Sequence, residues 1–269
     1  MTLELLYGRS VLRLTMPGEA VPHVIEKPAF PPGPAAEAQI ADALASPVGC
    51  APLADLARGR RSACILVCDI TRPVPNHLFL QPMIGTMRDA GIPLDAISVL
   101  IATGLHRPNE GDELAELVGD PWVLENVRVE NHFARRDEDH VDLGTIRGLG
   151  VPVKLDRRFV EADLRIETGL VEPHFMAGYS GGRKVVAPGI AHHEIIRTFH
   201  SDRFTEDPHA RECVLDDNPL HEEQLEIARM VGELYALNTV IDDRRNLVFA
   251  SFGEIVASHM VAVLSLIHI

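Results

Sequence analysis

The chain is short of several things that would define other classes of protein. It has four cysteines in 269 residues, Cys50, Cys64, Cys68 and Cys213, and none forms a C-x-x-C pair. That leaves no disulfide framework, and the expected compartment is reducing and cytoplasmic. Cys64 and Cys68 lie in an apolar run, where cysteine behaves as a small hydrophobe. The opening residues, MTLELLYGRS, lack the basic stretch and long apolar stretch of a signal peptide. The longest late apolar run, 260–269, is too short to span a bilayer. Basic residues are scarce: 25 Lys and Arg stand against 39 Asp and Glu, a net charge of −14. This argues against nucleic acid or an anionic membrane surface as the main partner. It leaves room for an anionic small molecule, because a pocket can be locally positive. With 46% hydrophobic and 24% charged residues, the composition also excludes a disordered, collagen-like or low-complexity chain.

What is present is the pattern of an α/β protein. The length suits one large domain or two small ones. A small hairpin is expected over 3–7 and 11–15, followed by a Pro-rich connector at 27–34. Apolar runs at 63–67 and 96–102 read as strands buried on both faces. Further strands are expected at 127–131, 164–168, 237–242 and 247–252. Helices are expected at 35–45, 53–58, 77–90, 112–118 and 222–234, and within 187–199. Alternating strands and helices predict a Rossmann-like, mainly parallel sheet flanked by helices. The expected division is one α/β catalytic and cofactor-binding domain over 1–255. The apolar ending VAVLSLIHI carries no stop signal. It reads either as a terminal helix packed on the core or as an element broken off. The second is favoured, with 256–269 starting a connection to a second α/β domain.

In open α/β sheets, ligands bind beyond the carboxyl ends of the strands. Three expected strands end in unusual polar segments. The first delivers Asp69, Thr71 and Arg72, the second Thr103, His106 and Arg107, and the third Glu172, His174, Ser180 and Lys184. Together they make a positive, titratable cluster on an acidic protein, suited to an anionic substrate or a phosphate-bearing cofactor. Asp69 to Pro73 also reads as a helix cap, since Asp and Thr cap well and Pro fits a first turn. A lone loop histidine is more often structural, but two at two strand ends favour acid–base work.

The segment Gly178-Tyr179-Ser180-Gly181-Gly182-Arg183-Lys184 has three glycines in five positions, which lets backbone approach a ligand closely. It fails as a phosphate-binding G-x-x-x-x-G-K-[ST] loop, because Arg183 replaces the last glycine and Val185 follows the lysine. It matches the G-x-S-x-G nucleophile elbow literally, so a serine hydrolase using Ser180 is an alternative. Against it, about ten residues separate the strand from the serine, and Pro188 follows soon after. His192 and His200 are eight apart and miss the i, i+4 zinc spacing, so a single histidine ligand makes sense only if a cofactor completes the coordination. The run 135–140 reads as a solvated loop, Asp216-Asp217-Asn218-Pro219 as a helix cap, and Trp122 as packing.

The segments DITRP at 69–73, ATGLHRP at 102–108, GLVEPHFMAGYSGGRKVVAPGI at 169–190 and Phe199-His200-Ser201 resemble the nickel-dependent lactate racemase family. The likeness runs along the whole chain in order, and the glycine-rich segment is its specific part. The resemblance implies an isomerase that racemises or epimerises a lactate-like 2-hydroxy acid by proton-coupled hydride transfer. It implies a nickel pincer nucleotide, a Ni(II)-pyridinium-3,5-bisthiocarboxylate mononucleotide, tethered through a thioamide to Lys184, with His200 on the nickel. It places Asp69, Ile70, Thr71 and Arg72 at the cofactor, and makes His106 and His174 the acid–base pair. Cofactor-biosynthesis enzymes would be its partners, with no nucleic acid and no membrane. Family members are longer, with a second domain that closes over the cleft. A non-catalytic cofactor-binding fragment is therefore a further reading.

Overall fold

In a computed structural model, residues 2–8, 10–25, 33–146 and 150–267 are described. They divide into two compact units, 1–31 and 32–269. The first holds the expected hairpin, Thr2–Tyr7 paired antiparallel with Ser10–Thr15. Most of the expected 27–34 connector lies outside the described residues.

The second unit is built on six strands: β1 (Ala63–Cys68), β2 (Ile97–Ala102), β3 (Arg128–Asn131), β4 (Leu164–Leu170), β5 (Tyr235–Ile241) and β6 (Leu247–Glu254). Their order is β6-β5-β4-β1-β2-β3. Every neighbouring pair is parallel except β5 and β6. The expected mainly parallel α/β sheet is therefore present, with one antiparallel edge. β1 shows why an unbroken apolar run is needed here. Ile65 and Val67 face one hydrophobic cluster, with helices Ala36–Ala45 and Asn76–Asp89. Cys64 and Leu66 face another, with helices His193–Phe199 and Pro219–Met230. Side chains alternate across a strand, so a sheet covered on both faces needs apolar residues at every position.

Local chemistry sets the helix limits. Asn218 caps Pro219–Met230 by accepting from the N–H groups of Leu220 and His221 at 3.1 and 3.2 Å, with Pro219 in the first turn. The helix thus starts three residues before the apolar periodicity suggests. Asp120 and Asp156 start two short helices, Pro121–Asn126 and Arg157–Val160, in the same way. These were too short to show a period. Trp122 packs against the first cluster as expected.

One expectation gives way. The run 135–140 is exposed over Arg135 to Glu138, but His140 is buried. It joins a row of rings, His132 to His140 at 5.2 Å, His140 to His192 at 5.1 Å and His192 to His193 at 4.2 Å. The row ends on the buried carboxylate of Asp156, which is hydrogen-bonded to His132 at 2.9 Å and ion-paired with Arg158 at 2.7 Å. Residues 256–267, expected to start a connection, form a helix. The helix Ile255–Ile267 packs on β5 and β6, burying Ser258, His259, Ala262 and Val263.

Two glycines give opposite expectations. A Cβ at Gly189 would stand 2.0 Å from the Val185 carbonyl oxygen and 2.9 Å from Ala102. Gly189→Ala should cost about 3 kcal/mol through overpacking. Gly85, inside the helix Asn76–Asp89, has open space and no unusual backbone angle. Gly85→Ala should raise stability by about 0.5–1 kcal/mol. Urea unfolding of both variants checks the pair.

Acid sensitivity follows from the buried imidazoles. Burial lowers the pKa of His140 and His192, and holds His174, His221 and His259 at about 3. The unfolded chain takes up those protons below about pH 6.5 and the folded chain does not, so folding weakens as pH falls. Glu167 and Glu223, raised by burial, work in the other direction as they take up protons. The three large histidine shifts outnumber the two carboxyl ones. Stability should drop by at least about 1 kcal/mol per pH unit between pH 6.5 and 5. A flat urea midpoint across that window would show that these rings titrate normally.

Candidate active site at the switch point of the sheet

β1 and β4 are adjacent, yet the chain leaves β1 towards β2 and leaves β4 towards β5. Open α/β sheets carry their ligand crevice where the strand order reverses in this way. A cavity of about 450 Å³ opens there, within the range of small-molecule sites. Seven of the eight residues that the resemblance places at the site line it, Asp69, Thr71, Arg72, His106, His174, Lys184 and His200, as do Thr103 and Ser180, whereas Arg107 and Glu172 do not. Ile70 is not on the wall. Its side chain packs against the core and its N–H donates to Asn109 at 3.3 Å.

Asp69 organises the β1 side. One carboxylate oxygen accepts from the Thr71 hydroxyl at 2.6 Å, and the other lies 2.6 Å from Nδ1 of His106. A carboxylate accepts, so Nδ1 carries the ring's hydrogen and Nε2 keeps its lone pair. That is the arrangement of an oriented general base. The helix-cap reading of Asp69 fails, because the next helix begins after Pro75 without a side-chain cap.

The β4 side is held by its own backbone. A Cβ at Gly178, whose φ is +73°, would lie 2.3 Å from the Val214 carbonyl oxygen, and one at Gly181 would lie 2.9 Å from Asn238. These glycines admit close packing of protein on protein. The Ser180 hydroxyl donates to the Leu170 carbonyl at 2.6 Å and accepts from the Glu172 N–H at 3.1 Å. Among the described residues no imidazole nitrogen bonds to this hydroxyl, although a two-residue strand, Gly178–Tyr179, precedes it and a short helix, Arg183–Val186, follows it. The serine hydrolase reading lacks its base.

His174 is bonded differently from His106. Its Nδ1 accepts from the N–H groups of Met176 and Ala177 at 3.3 and 3.1 Å, so its hydrogen sits on Nε2. Burial, with Lys184 and Arg72 nearby, holds it neutral with a pKa of about 3. Phe175 stacks on it at 4.8 Å. The Lys184 N–H donates to the Gly181 carbonyl at 3.2 Å, and its side-chain amine has no hydrogen bond or ion pair among the described residues. Burial, with Arg72 adding repulsion, lowers its pKa to about 8, so the amine is a nucleophile near neutral pH. His200 follows the helix His193–Phe199, and its Nδ1 lies 2.7 Å from the Ile196 carbonyl oxygen. A carbonyl only accepts, so Nε2 is left with its lone pair, as metal-bound histidines are commonly prepared. No cluster of three protein metal ligands occurs among the described residues. A metal at His200 would take its other ligands from outside the described residues. An unpartnered amine and one prepared imidazole fit a tethered pincer nucleotide.

Sequence reasoning placed Glu172 at the strand end but gave it no task. It accepts a hydrogen bond from Arg72 in an ion pair across the mouth of the cleft. Its place beside Pro173-His174 was the available signal. The role of Asn109, which bonds Ile70, Asn131 and Glu113, had none.

The family model described as the lactate racemase N-terminal domain matches residues 7–212. The lactate racemase of Thermoanaerobacterium thermosaccharolyticum is 34% identical over 260 residues, covering 96% of this chain and 60% of that protein. The lactate racemase of Lactiplantibacillus plantarum is 34% identical over 218 residues, covering 81% of this chain and 51% of that protein. The structure of the lactate racemase apoprotein from T. thermosaccharolyticum superposes with a TM-score of 0.85 at 33% identity, covering 98% of this chain and 62% of that one. The chain thus spans between half and two thirds of the length of these relatives. It belongs to the lactate racemase N-terminal domain family.

Proposed function

We propose that the chain carries the cofactor-holding and acid–base half of an isomerase that racemises or epimerises a lactate-like 2-hydroxy acid. The observation that supports this is the convergence of an Asp-backed histidine, a second histidine, an arginine, an unpartnered lysine and a prepared imidazole on one cavity. Relatives named as lactate racemases give the substrate class.

The Cα proton of a 2-hydroxy acid is weakly acidic, so the chemistry favours removal of hydrogen as hydride. A nickel pincer nucleotide, when bound, supplies the hydride acceptor. Lys184 would hold it through a thioamide and His200 would ligate the nickel, a metal suited to imidazole and soft sulfur together. Thr71 and Arg72, with the backbone of Ile70, would line its seat. Arg72 offers a guanidinium fork to a carboxylate or phosphate. His106 takes the hydroxyl proton on Nε2 while Asp69 keeps its ring oriented. The planar keto acid can then present its other face. His174 directs a hydrogen-bond donor to the oxygen from its own strand end. To carry a full extra proton, its Nδ1 must first part from the Met176 and Ala177 N–H groups. The reading places the protein in the cytoplasm, with the enzymes that build the cofactor as partners. A second reading is a non-catalytic cofactor-binding fragment, since this sequence spans 60% of one relative and 51% of another.

Intact mass of the chain, co-expressed with cofactor-building enzymes, tests the assignment. The expected result is an adduct that disappears in Lys184→Ala and persists in His106→Ala. Chiral analysis of lactate should then show racemisation reduced about 10²–10⁴-fold by His106→Ala. An adduct surviving in Lys184→Ala would overturn the attachment. A loaded chain with no turnover would favour the second reading.

A further inference from the structure

We propose that Glu172 sets the affinity of the cavity for anions: its carboxylate occupies the Arg72 guanidinium, and an incoming carboxylate or phosphate binds by displacing it. This rests on reading Arg72 as the residue that holds an anion. The two side chains come from different strand ends, Arg72 after β1 and Glu172 after β4. Arg72 lines the cavity and Glu172 does not. The ion pair therefore holds a cavity-lining guanidinium on a carboxylate that is not part of the cavity wall.

Three features make Glu172 a placeholder. First, its backbone is fixed. Its N–H donates to the Ser180 hydroxyl at 3.1 Å and its carbonyl accepts from the Ser180 N–H at 2.9 Å. This gives the Ser180 hydroxyl a task outside nucleophilic chemistry. Arg72, on a turn closed by its own N–H to the Asp69 carbonyl at 3.0 Å, has the longer side chain and is the partner that can move. Second, the pair is half exposed, at 35% and 38%, and such pairs are weak because water screens them. Third, the exchange is like for like. Glu172 is the guanidinium's only hydrogen-bond partner among the described residues, and a bidentate ligand carboxylate would replace a single contact with a fork. The other cavity-lining cations are Lys184 and Arg197, and the one lining carboxylate is Asp69, already held by Thr71 and His106.

The test titrates the ligand-free chain with lactate and, separately, with inorganic phosphate, following amide shifts by NMR. Glu172→Gln is expected to bind one or both probes about 5–10-fold more tightly than the wild type. Glu172→Asp keeps the charge but shortens the reach, and is expected to tighten binding by a smaller factor. Tightening for lactate alone would assign the seat to a substrate carboxylate, and for phosphate alone to a nucleotide phosphate. Either supports displacement. Unchanged or weaker binding in Glu172→Gln overturns the proposal. So does a Glu172→Asp chain that matches the wild type while Glu172→Gln tightens, since only net charge would then matter. Arg72→Gln should lose the binding in every background. If it does not, the reading of Arg72 as the anion holder fails, independently of Glu172. Amide spectra of each variant, overlaid away from the cavity, establish that the fold is intact.

Discussion

The site depends on where the pairing of β1 with β4 stops. The ladder runs from Ala63 and Leu164 to Leu66 and Glu167. Beyond it the chains are held by side chains, the Thr168 hydroxyl donating to the Leu66 carbonyl at 2.9 Å and the Cys68 thiol to the Thr168 carbonyl at 3.8 Å. The strands then part, β1 leading towards β2 and β4 towards β5. Two segments emerge side by side with a gap between them. Asp69 to Arg72 forms one lip, and the stretch from Glu172 to Lys184 forms the other. A parallel sheet that continued to pair would have closed this gap with backbone hydrogen bonds.

Within the gap the chain concentrates positive charge that its overall −14 would not suggest. Burial comes first for both Lys184 and His174; Arg72 and Arg183 repel each of them, and Lys184 also repels a proton on His174. Both are therefore poised in neutral or easily neutralised forms. The three cavity histidines are distinguished by what touches Nδ1. A carboxylate at His106 and a carbonyl at His200 leave lone pairs on Nε2, while two backbone N–H groups at His174 leave a hydrogen there. One residue type thus acquires a base-like, a ligand-like and a donor-like form from its immediate acceptors and donors.

Much of this was legible because burial on both faces demands apolar runs and because polar residues at strand ends stand out against them. The runs at 63–67 and 96–102 and the segments beginning at Asp69, Thr103 and Glu172 identified both sheet and cavity. What stayed hidden depends on contacts distant in sequence. His140 reads as part of a charged loop until His132 and His192 come to either side of it. Glu172 meets Arg72 across 100 residues. The helix Ile255–Ile267 looks unterminated by its apolar pattern, and only part of that pattern, Ile255, Ala262 and Val263, is buried, while Leu264 and Ile267 are exposed.

The glycine-rich segment shows how a correct local signal acquires a different cause. Its glycines mark close approach, but the approach is to Val214 and Asn238 of the protein itself. The Gly182 N–H donates to Asn238 at 3.1 Å, and Ser180 ties the segment back to Leu170 and Glu172. His174 and Lys184 stand at the two ends of this braced stretch. A braced loop spends little entropy in bringing its ends to a ligand, because their separation is already set by the fold. The same bracing fixes the backbone of Glu172, so the movable partner at the mouth of the cavity is Arg72. Rigidity on the β4 lip and mobility in one long side chain on the β1 lip are therefore two consequences of the same packing.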